Sequence, residues 1–170
     1  MRFTEFLRTA VLLCAGSATA LAAVTVITAT RDADNVVAVV SVAWWAIASI
    51  VGVRFEGRAG DGISLLLREA KHQTTLPELR PGVTLLNRLW LLLLITIMAG
   101  VVGVFVPQIA SVATGFALFV ALAWRRQNIA VEAIELRDAA RFYVDRTSPF
   151  APIRLIRTPG FGGANLRAPA

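Results

Sequence analysis

The side chains best suited to acid–base chemistry lie in one part of the chain, between residues 54 and 88. They are three carboxylates and the one histidine of the sequence: Glu56, Asp61, Glu69 and His72. With Arg68 nearby, such groups would suit an enzyme that acts on lipid headgroups, because general acid–base catalysis needs a proton donor and a proton acceptor within reach of the substrate. Their spacing matches no known acid–base pair, so an enzyme is the third of our functional hypotheses.

Other patterns with chemical potential are weaker. The glycine-rich stretch F-E-G-R-A-G-D-G resembles a phosphate cradle, but no strand precedes it and no Lys-Ser/Thr follows, so we interpret it as a turn. A zinc site takes three or four ligands, and the sequence has one cysteine, Cys14, besides its one histidine. We therefore predict no metal, no cofactor and no catalytic centre, and we place His72 at the surface.

The composition indicates a membrane protein with about one domain in 170 residues. Hydrophobic residues make up 56% of the sequence and charged residues 16%, whereas soluble domains average about 45–50% and 25%. Stretches 9–30 and 35–53 carry no charge, and neither does 89–124, which is too long for one span. Proline breaks helices, so Pro107 divides this last stretch. The predicted spans are 9–30, 35–53, 84–106 and 108–124.

These spans predict an all-α polytopic fold, a transmembrane domain over residues 1–124. Both outer connections are short, so helices 1 and 2, and helices 3 and 4, should form two antiparallel hairpins. The basic N-terminus before an apolar run also resembles a signal peptide, but the run continues through Val24, Val26 and Ile27, which is longer than a signal core. We expect the first span to be retained.

The basic residues predict the orientation. With both termini in the cytoplasm, 16 of the 17 Lys and Arg residues lie inside and Arg31 alone lies outside. The net charge of +6 is then a sign of topology rather than of nucleic-acid binding, and no nucleic-acid partner is expected. The expected location is the cytoplasmic membrane of a bacterium, with multiple spans.

Two cytoplasmic segments carry most of the polar residues. The connection 54–83 contains a predicted amphipathic helix over 62–73, with Ile63, Leu66, Leu67 and Ala70 on one face.

The C-terminal segment, 125–161, allows two structures around 130–146. A helix would align Ala133, Leu136, Ala140 and Tyr143, whereas a β-hairpin would pair V-E-A-I-E-L with R-F-Y-V-D; the pattern slightly favours the hairpin. A third short strand is possible around Leu155, and residues 162–170 should be a disordered tail.

Small residues and aromatic residues mark the predicted contacts of the spans. Small residues recur at four-residue spacing, which lets membrane helices approach closely. The pairs are Gly16/Ala20, Ala48/Gly52, Ala99/Gly103 and Ser111/Gly115. Trp44 and Trp45 lie mid-span, away from the headgroup belt that tryptophan prefers. They either pack within the bundle or face lipid, or they form a contact surface for a partner helix or an apolar ligand.

The remaining predicted site residues contact lipid headgroups: Trp90, Trp124, Arg125, Arg126, Arg68 and Lys71. The first functional hypothesis is a non-enzymatic accessory, scaffold or assembly subunit, or a small homo-oligomer, whose partners are membrane lipids and other membrane protein subunits. The alternative is a small oligomeric channel or transporter for an uncharged or apolar solute, with serine and threonine hydroxyls along its pore.

Overall fold

The computed structural model describes residues 1–31, 35–54, 67, 70–72, 81–144 and 155–159. Within these ranges the main helices are α1 (Phe3–Arg31), α2 (Asn35–Arg54), α3 (Pro81–Gly103) and α4 (Pro107–Arg137). The strands are β1 (Lys71–His72), β2 (Ala140–Val144) and β3 (Leu155–Pro159). The predicted disordered tail, 162–170, lies outside the described residues.

Three of the helices, α1, α2 and α4, are long and apolar enough to cross a membrane, and α3 contributes a shorter apolar stretch, Leu89–Gly103. At 1.5 Å per residue, α1 measures about 44 Å and α4 about 46 Å, whereas the hydrocarbon core of a bilayer is about 30 Å thick. Both helices therefore have ends that reach beyond the core. The apolar helices are consistent with a membrane location, and the predicted count of four spans is not confirmed.

A tight turn separates α3 from α4, where the sequence predicted a break. The amides of Phe105 and Val106 both donate to Val102 O, at 3.0 and 2.9 Å, and Pro107 opens the next helix. Proline suits this first position because its missing N–H has no helical acceptor there. A methyl group on Gly103 would lie 2.5 Å from the Ala110 Cβ, so glycine is what lets the two helices meet at the turn.

The central helix of the bundle is α4, which contacts α1, α2 and α3. The contacts of α2 with α4 advance in the same direction along both helices, from Ser41 beside Ser111 to Gly52 beside Leu122, so the two helices are parallel. Between α1 and α2 the contact is slight. The predicted grouping into two antiparallel hairpins is therefore not confirmed.

The C-terminal segment corrects the predicted hairpin. Residues 131–136 are helical and continue α4 to Arg137, so V-E-A-I-E-L does not pair with R-F-Y-V-D. Glu, Ala, Leu and Arg are good helix formers, and extending an existing helix avoids the cost of nucleation. The alternative prediction, a helix that includes Ala140 and Tyr143, is also wrong at its C-terminal end, because both residues belong to β2.

The partner of β2 is the later segment β3. They pair antiparallel from Ala140 opposite Pro159 to Val144 opposite Leu155, and β1 lies parallel to β3, giving the order β1-β3-β2.

The N-terminus joins this sheet beside β2. Arg2 forms an antiparallel bridge with Tyr143, and the Val144 amide donates to Met1 O at 3.0 Å. Glu135 of α4 accepts a 3.0 Å hydrogen bond from the Phe142 amide and lies 3.8 Å from the Arg2 guanidinium. A buried apolar cluster binds the two ends of the chain together: Met1, Phe3, Phe6, Leu7, Ala10, Leu67, Leu89, Val131, Phe142, Val144 and Leu155.

The predicted amphipathic helix over 62–73 is too long at its C-terminal end. Leu67 is helical and buried in the apolar cluster, as a core-facing position should be. Lys71 and His72, however, form β1, because pairing with β3 satisfies their backbone groups in a sheet rather than a helix. Ala70, on the predicted apolar face, is not helical, but it packs against the same cluster. The remaining residues of this prediction, including Ile63, lie outside the described ranges.

The turn from α4 to β2 contains a strained residue, which gives a test of the junction. Ala139 has φ 47°, in the left-handed region where a side chain costs about 1–2 kcal/mol. We predict that Ala139→Gly stabilises the protein by about 1 kcal/mol in thermal or SDS-induced unfolding. Ala133→Gly, in the exposed interior of α4, should destabilise it by about the same amount. Equal destabilisation by both variants would contradict the assigned turn.

A second test concerns the charges at this junction. Arg137 Nε donates a 2.9 Å hydrogen bond to Asp138 Oδ1, which lowers the pKa of Asp138 below its ordinary value. The guanidinium of Arg157 in β3 lies 3.7 Å from Asp138 Oδ2. A carboxylate with a lowered pKa contributes stability above its unfolded pKa, and this contribution is lost as the pH falls through the folded value. We predict that Asp138→Asn narrows the difference in melting temperature between about pH 6 and about pH 3. An unchanged difference would contradict the role of this pair.

Candidate functional site in the membrane-spanning helices

The two mid-span tryptophans lie against α4 of the same chain. Trp44 Nε1 donates to Val112 O at 3.3 Å, and Trp45 Nε1 donates to Ser111 O at 3.0 Å. Both rings are half-buried. The Trp44 ring also meets the Phe116 ring edge-on, with centroids 5.8 Å apart. The indole N–H groups, which need acceptors away from water, therefore use backbone carbonyls of α4.

Gly115 makes this arrangement possible. A Cβ on Gly115 would overlap Trp44 at Nε1, Cδ1 and Cε2. In a helix the carbonyls of residues i−4 and i−3 lie beside residue i, so the missing side chain at 115 also uncovers Ser111 O and Val112 O. Each of these oxygens has a second lone pair to accept from an indole. One glycine thus provides both the space and the acceptors for the tandem tryptophans.

A buried pair of hydroxyl groups lies beside the tryptophans. Ser111 Oγ donates to Ser41 Oγ at 2.7 Å, between α4 and α2. Further along, a Cβ on Gly52 would lie 3.1 to 3.2 Å from Leu122 and Phe119, so α2 stays close to α4 toward its C-terminal end. Hydrogen bonds between membrane helices contribute about 0.6–2 kcal/mol each. Together these contacts hold α2 parallel to α4.

The structure brings together most of the small residues that the sequence selected for packing. Ala48 and Gly52 of α2 and Ser111 and Gly115 of α4 are all buried, on or beside the α2–α4 contact. On α3, Ala99 and Gly103 are buried too, and Ala99 clusters with Leu21 and Ala110. Gly16 and Ala20 of α1 are exposed, and nothing lies within 4 Å of a Cβ built on Gly16. The pattern alone therefore did not separate inner faces from outer ones.

The residues predicted to contact lipid headgroups have different surroundings. Trp90 and Arg125 are exposed, whereas Arg126 is half-buried. Trp124 packs against the apolar cluster of the sheet. Lys71 belongs to β1, and Arg68 lies outside the described residues, as do Glu56, Asp61 and Glu69 of the suggested acid–base set. His72 also lies in β1 rather than at a helix end.

A groove of about 780 Å3 is formed by α1, α3 and α4 and is here called the lateral groove. Its floor contains Cys14, Ser17 and Leu21 of α1, all buried. Its rim is exposed, and the rim side chains are Leu91 and Ile95 on α3 and Ile109, Val112 and Phe116 on α4. The groove therefore opens sideways, on the surface that would face the acyl chains of a bilayer.

The wall of the lateral groove is almost entirely apolar. Thr96 is one of its few polar residues, and its hydroxyl donates to Leu92 O of its own helix at 2.8 Å. Opposite α3, Ala113 and Ala117 present only methyl groups, which leaves the space open. The sequence did not predict this groove. The signal was present in the small residues Ala113 and Ala117, one turn apart on α4, but such pairs do not reveal whether a neighbouring helix fills the space.

Most described hydroxyls of the spans donate to carbonyls in their own helix, among them those of Thr25, Thr28 and Thr114. The donor hydrogen of each such hydroxyl is therefore already used within its own helix. A pore lined by hydroxyl groups, the alternative considered from the sequence, stays a prediction. Comparison with protein-family models, curated proteins and solved structures finds no match to this chain.

The contact of Trp44 with Gly115 gives a direct test of the α2–α4 interface. We predict that Gly115→Ala destabilises the protein by about 1–3 kcal/mol, because the indole must move and both helices must separate. Gly16→Ala should be neutral or slightly stabilising, since its site is open. Adding Trp44→Leu to Gly115→Ala should recover part of the loss. If Gly115→Ala and Gly16→Ala unfold at the same SDS concentration, the α2–α4 contact described here is wrong.

Proposed function

We propose that this protein is a non-enzymatic accessory or assembly subunit of a bacterial cytoplasmic membrane, which crosses the bilayer four times with both termini in the cytoplasm. It works by binding an apolar molecule of the membrane in the lateral groove. The groove is the single observation that carries this proposal. Its volume of about 780 Å3 falls within the range of about 300–1,000 Å3 typical of ligand sites.

The pairing of residues 1–2 with β2 supports an even number of spans. Met1 and Arg2 pair with Val144 and Tyr143, so the N-terminus and the C-terminal sheet lie on the same side of the bundle. A segment whose two flanks, here residues 1–2 and 143–144, lie on one side of a bilayer crosses it an even number of times. With α1, α2 and α4 as spans, α3 supplies the fourth, and the distribution of basic residues favours the cytoplasm as the shared side.

Contacts behind the α4 wall and at the floor of the groove support binding. Its α4 wall is fixed on one side by α2, through the tryptophan contacts at Ser111 and Val112. Its floor is fixed by α1, where Leu21 packs against Ala99 and Ala110. A site whose walls are already in place loses less conformational entropy on binding than one that must first be ordered.

The test uses phospholipids with a nitroxide on the acyl chain, in vesicles that contain the purified protein. Electron paramagnetic resonance measures the fraction of chains held immobile. Ala117→Leu fills the groove. We expect it to lower the number of immobile chains, calculated from this fraction, by about one per protein. Ala46→Leu adds the same bulk to an exposed position of α2 and should change nothing. An immobile fraction that is the same in both variants and the wild type would refute binding in the groove.

A further inference from the structure

The lateral groove has two chemically different ends. At one end its lining includes Leu89 of α3 and Trp124 of α4, and at the other it includes Ala99 and Gln108. Arginines are adjacent in sequence to the residues at the first end of the groove: Arg88 precedes Leu89, and Arg125 and Arg126 follow Trp124. The turn at the second end, V-F-V-P-Q-I, has no charge. A molecule that matches the groove is therefore apolar along most of its length and anionic at one end.

We infer that the lateral groove binds one acyl chain of an anionic phospholipid, whose phosphate lies at the arginine end. The inference rests on the proposed binding function and names the ligand class. Arginine suits phosphate because its planar guanidinium donates two parallel hydrogen bonds. Trp124 belongs at the level of the headgroups, where tryptophan concentrates in membrane proteins. This places the phosphate and the start of the chain at the correct depth.

The dimensions agree with one chain from the cytoplasmic leaflet. Half of the hydrocarbon core is about 15 Å thick, which corresponds to about ten residues of helix. A chain that starts at Trp124 therefore runs past Ala117 and ends near Ala113 or Thr114. A partner helix fits less well, because a helix about 10 Å wide and 15 Å long occupies about 1,200 Å3, more than the whole groove.

The test is native mass spectrometry of the full chain. The protein is reconstituted in vesicles with equal amounts of phosphatidylethanolamine and phosphatidylglycerol and then released in a mild detergent. We expect one phospholipid to stay bound, with phosphatidylglycerol preferred. Arg125→Gln, at an exposed position next to Trp124, should reduce this preference roughly fivefold. Arg8→Gln, on an exposed face at the same end of α1, is the matched charge control and should keep it.

Two outcomes separate this inference from the function on which it rests. If the bound lipid is equally often phosphatidylethanolamine, the anionic ligand is wrong. If loss of the arginine charge leaves the preference for phosphatidylglycerol unchanged, the position of the phosphate at the arginine end is wrong. In either case the groove still binds a chain. If Ala117→Leu retains as much lipid as Ala46→Leu, binding in the groove is wrong as well. Ala113→Leu provides a second groove-filling variant, and a circular dichroism spectrum checks the helical fold of each variant.

Discussion

The close contact between α2 and α4 at Gly115 is the constraint on which the bundle depends. Helices in a bilayer gain little from apolar burial, because lipid tails are as apolar as leucine. They associate through close packing and through hydrogen bonds. At Gly115 the two occur together, since the absent side chain gives Trp44 its place and uncovers the carbonyls that pair with both indoles. Without this contact α2 would have little to hold it, because its contact with α1 is slight.

The position of α4 between the other three helices explains the lateral groove. On one side α4 is covered by α2 and on another by α1. The third neighbour, α3, meets α4 closely at the turn, where Gly103 faces Ala110. Beyond that contact the small residues Ala113 and Ala117 do not fill the space opposite Leu92 and Ile95. The groove therefore forms because α3 packs closely against α4 only at the turn, and because the residues of α4 that face α3 beyond the turn are small.

The N-terminal residues, the end of α4 and the sheet pack together outside the apolar spans. α1 and α4 are each longer than a bilayer core, and their extra turns carry Phe6 and Val131 into the same buried cluster as β2. Glu135 connects α4 both to β2 and to the N-terminal residues. One of its carboxylate oxygens accepts a hydrogen bond from the Phe142 amide, and the other faces the Arg2 guanidinium. The strands β2 and β3 thus belong to a folded cap that also contains the N-terminal residues and the end of α4.

Several features were predictable from the sequence because they depend on local chemistry. The uncharged stretches gave α1, α2 and α4, and Pro107 gave the start of α4. Long-range pairing was not predictable. No local sequence pattern indicates that α2 packs against α4 rather than α1, or that β2 pairs with β3. A helix over 131–137 was the less favoured of the two predictions, because the alternation of Ile134 and Leu136 also fits a strand. The attachment of this segment to a long helix decided the outcome.

The central claim is that α3 and α4 leave a groove which a lipid chain occupies. Solid-state NMR of the protein in bilayers, with labelled alanine methyl groups, measures contact between those methyls and acyl-chain protons. We predict cross-peaks from the chains to Ala113 and Ala117 and none to the fully buried Ala110. Cross-peaks from Ala113 and Ala117 to side chains of α3, with none to lipid, would show that the groove is closed and would contradict the account.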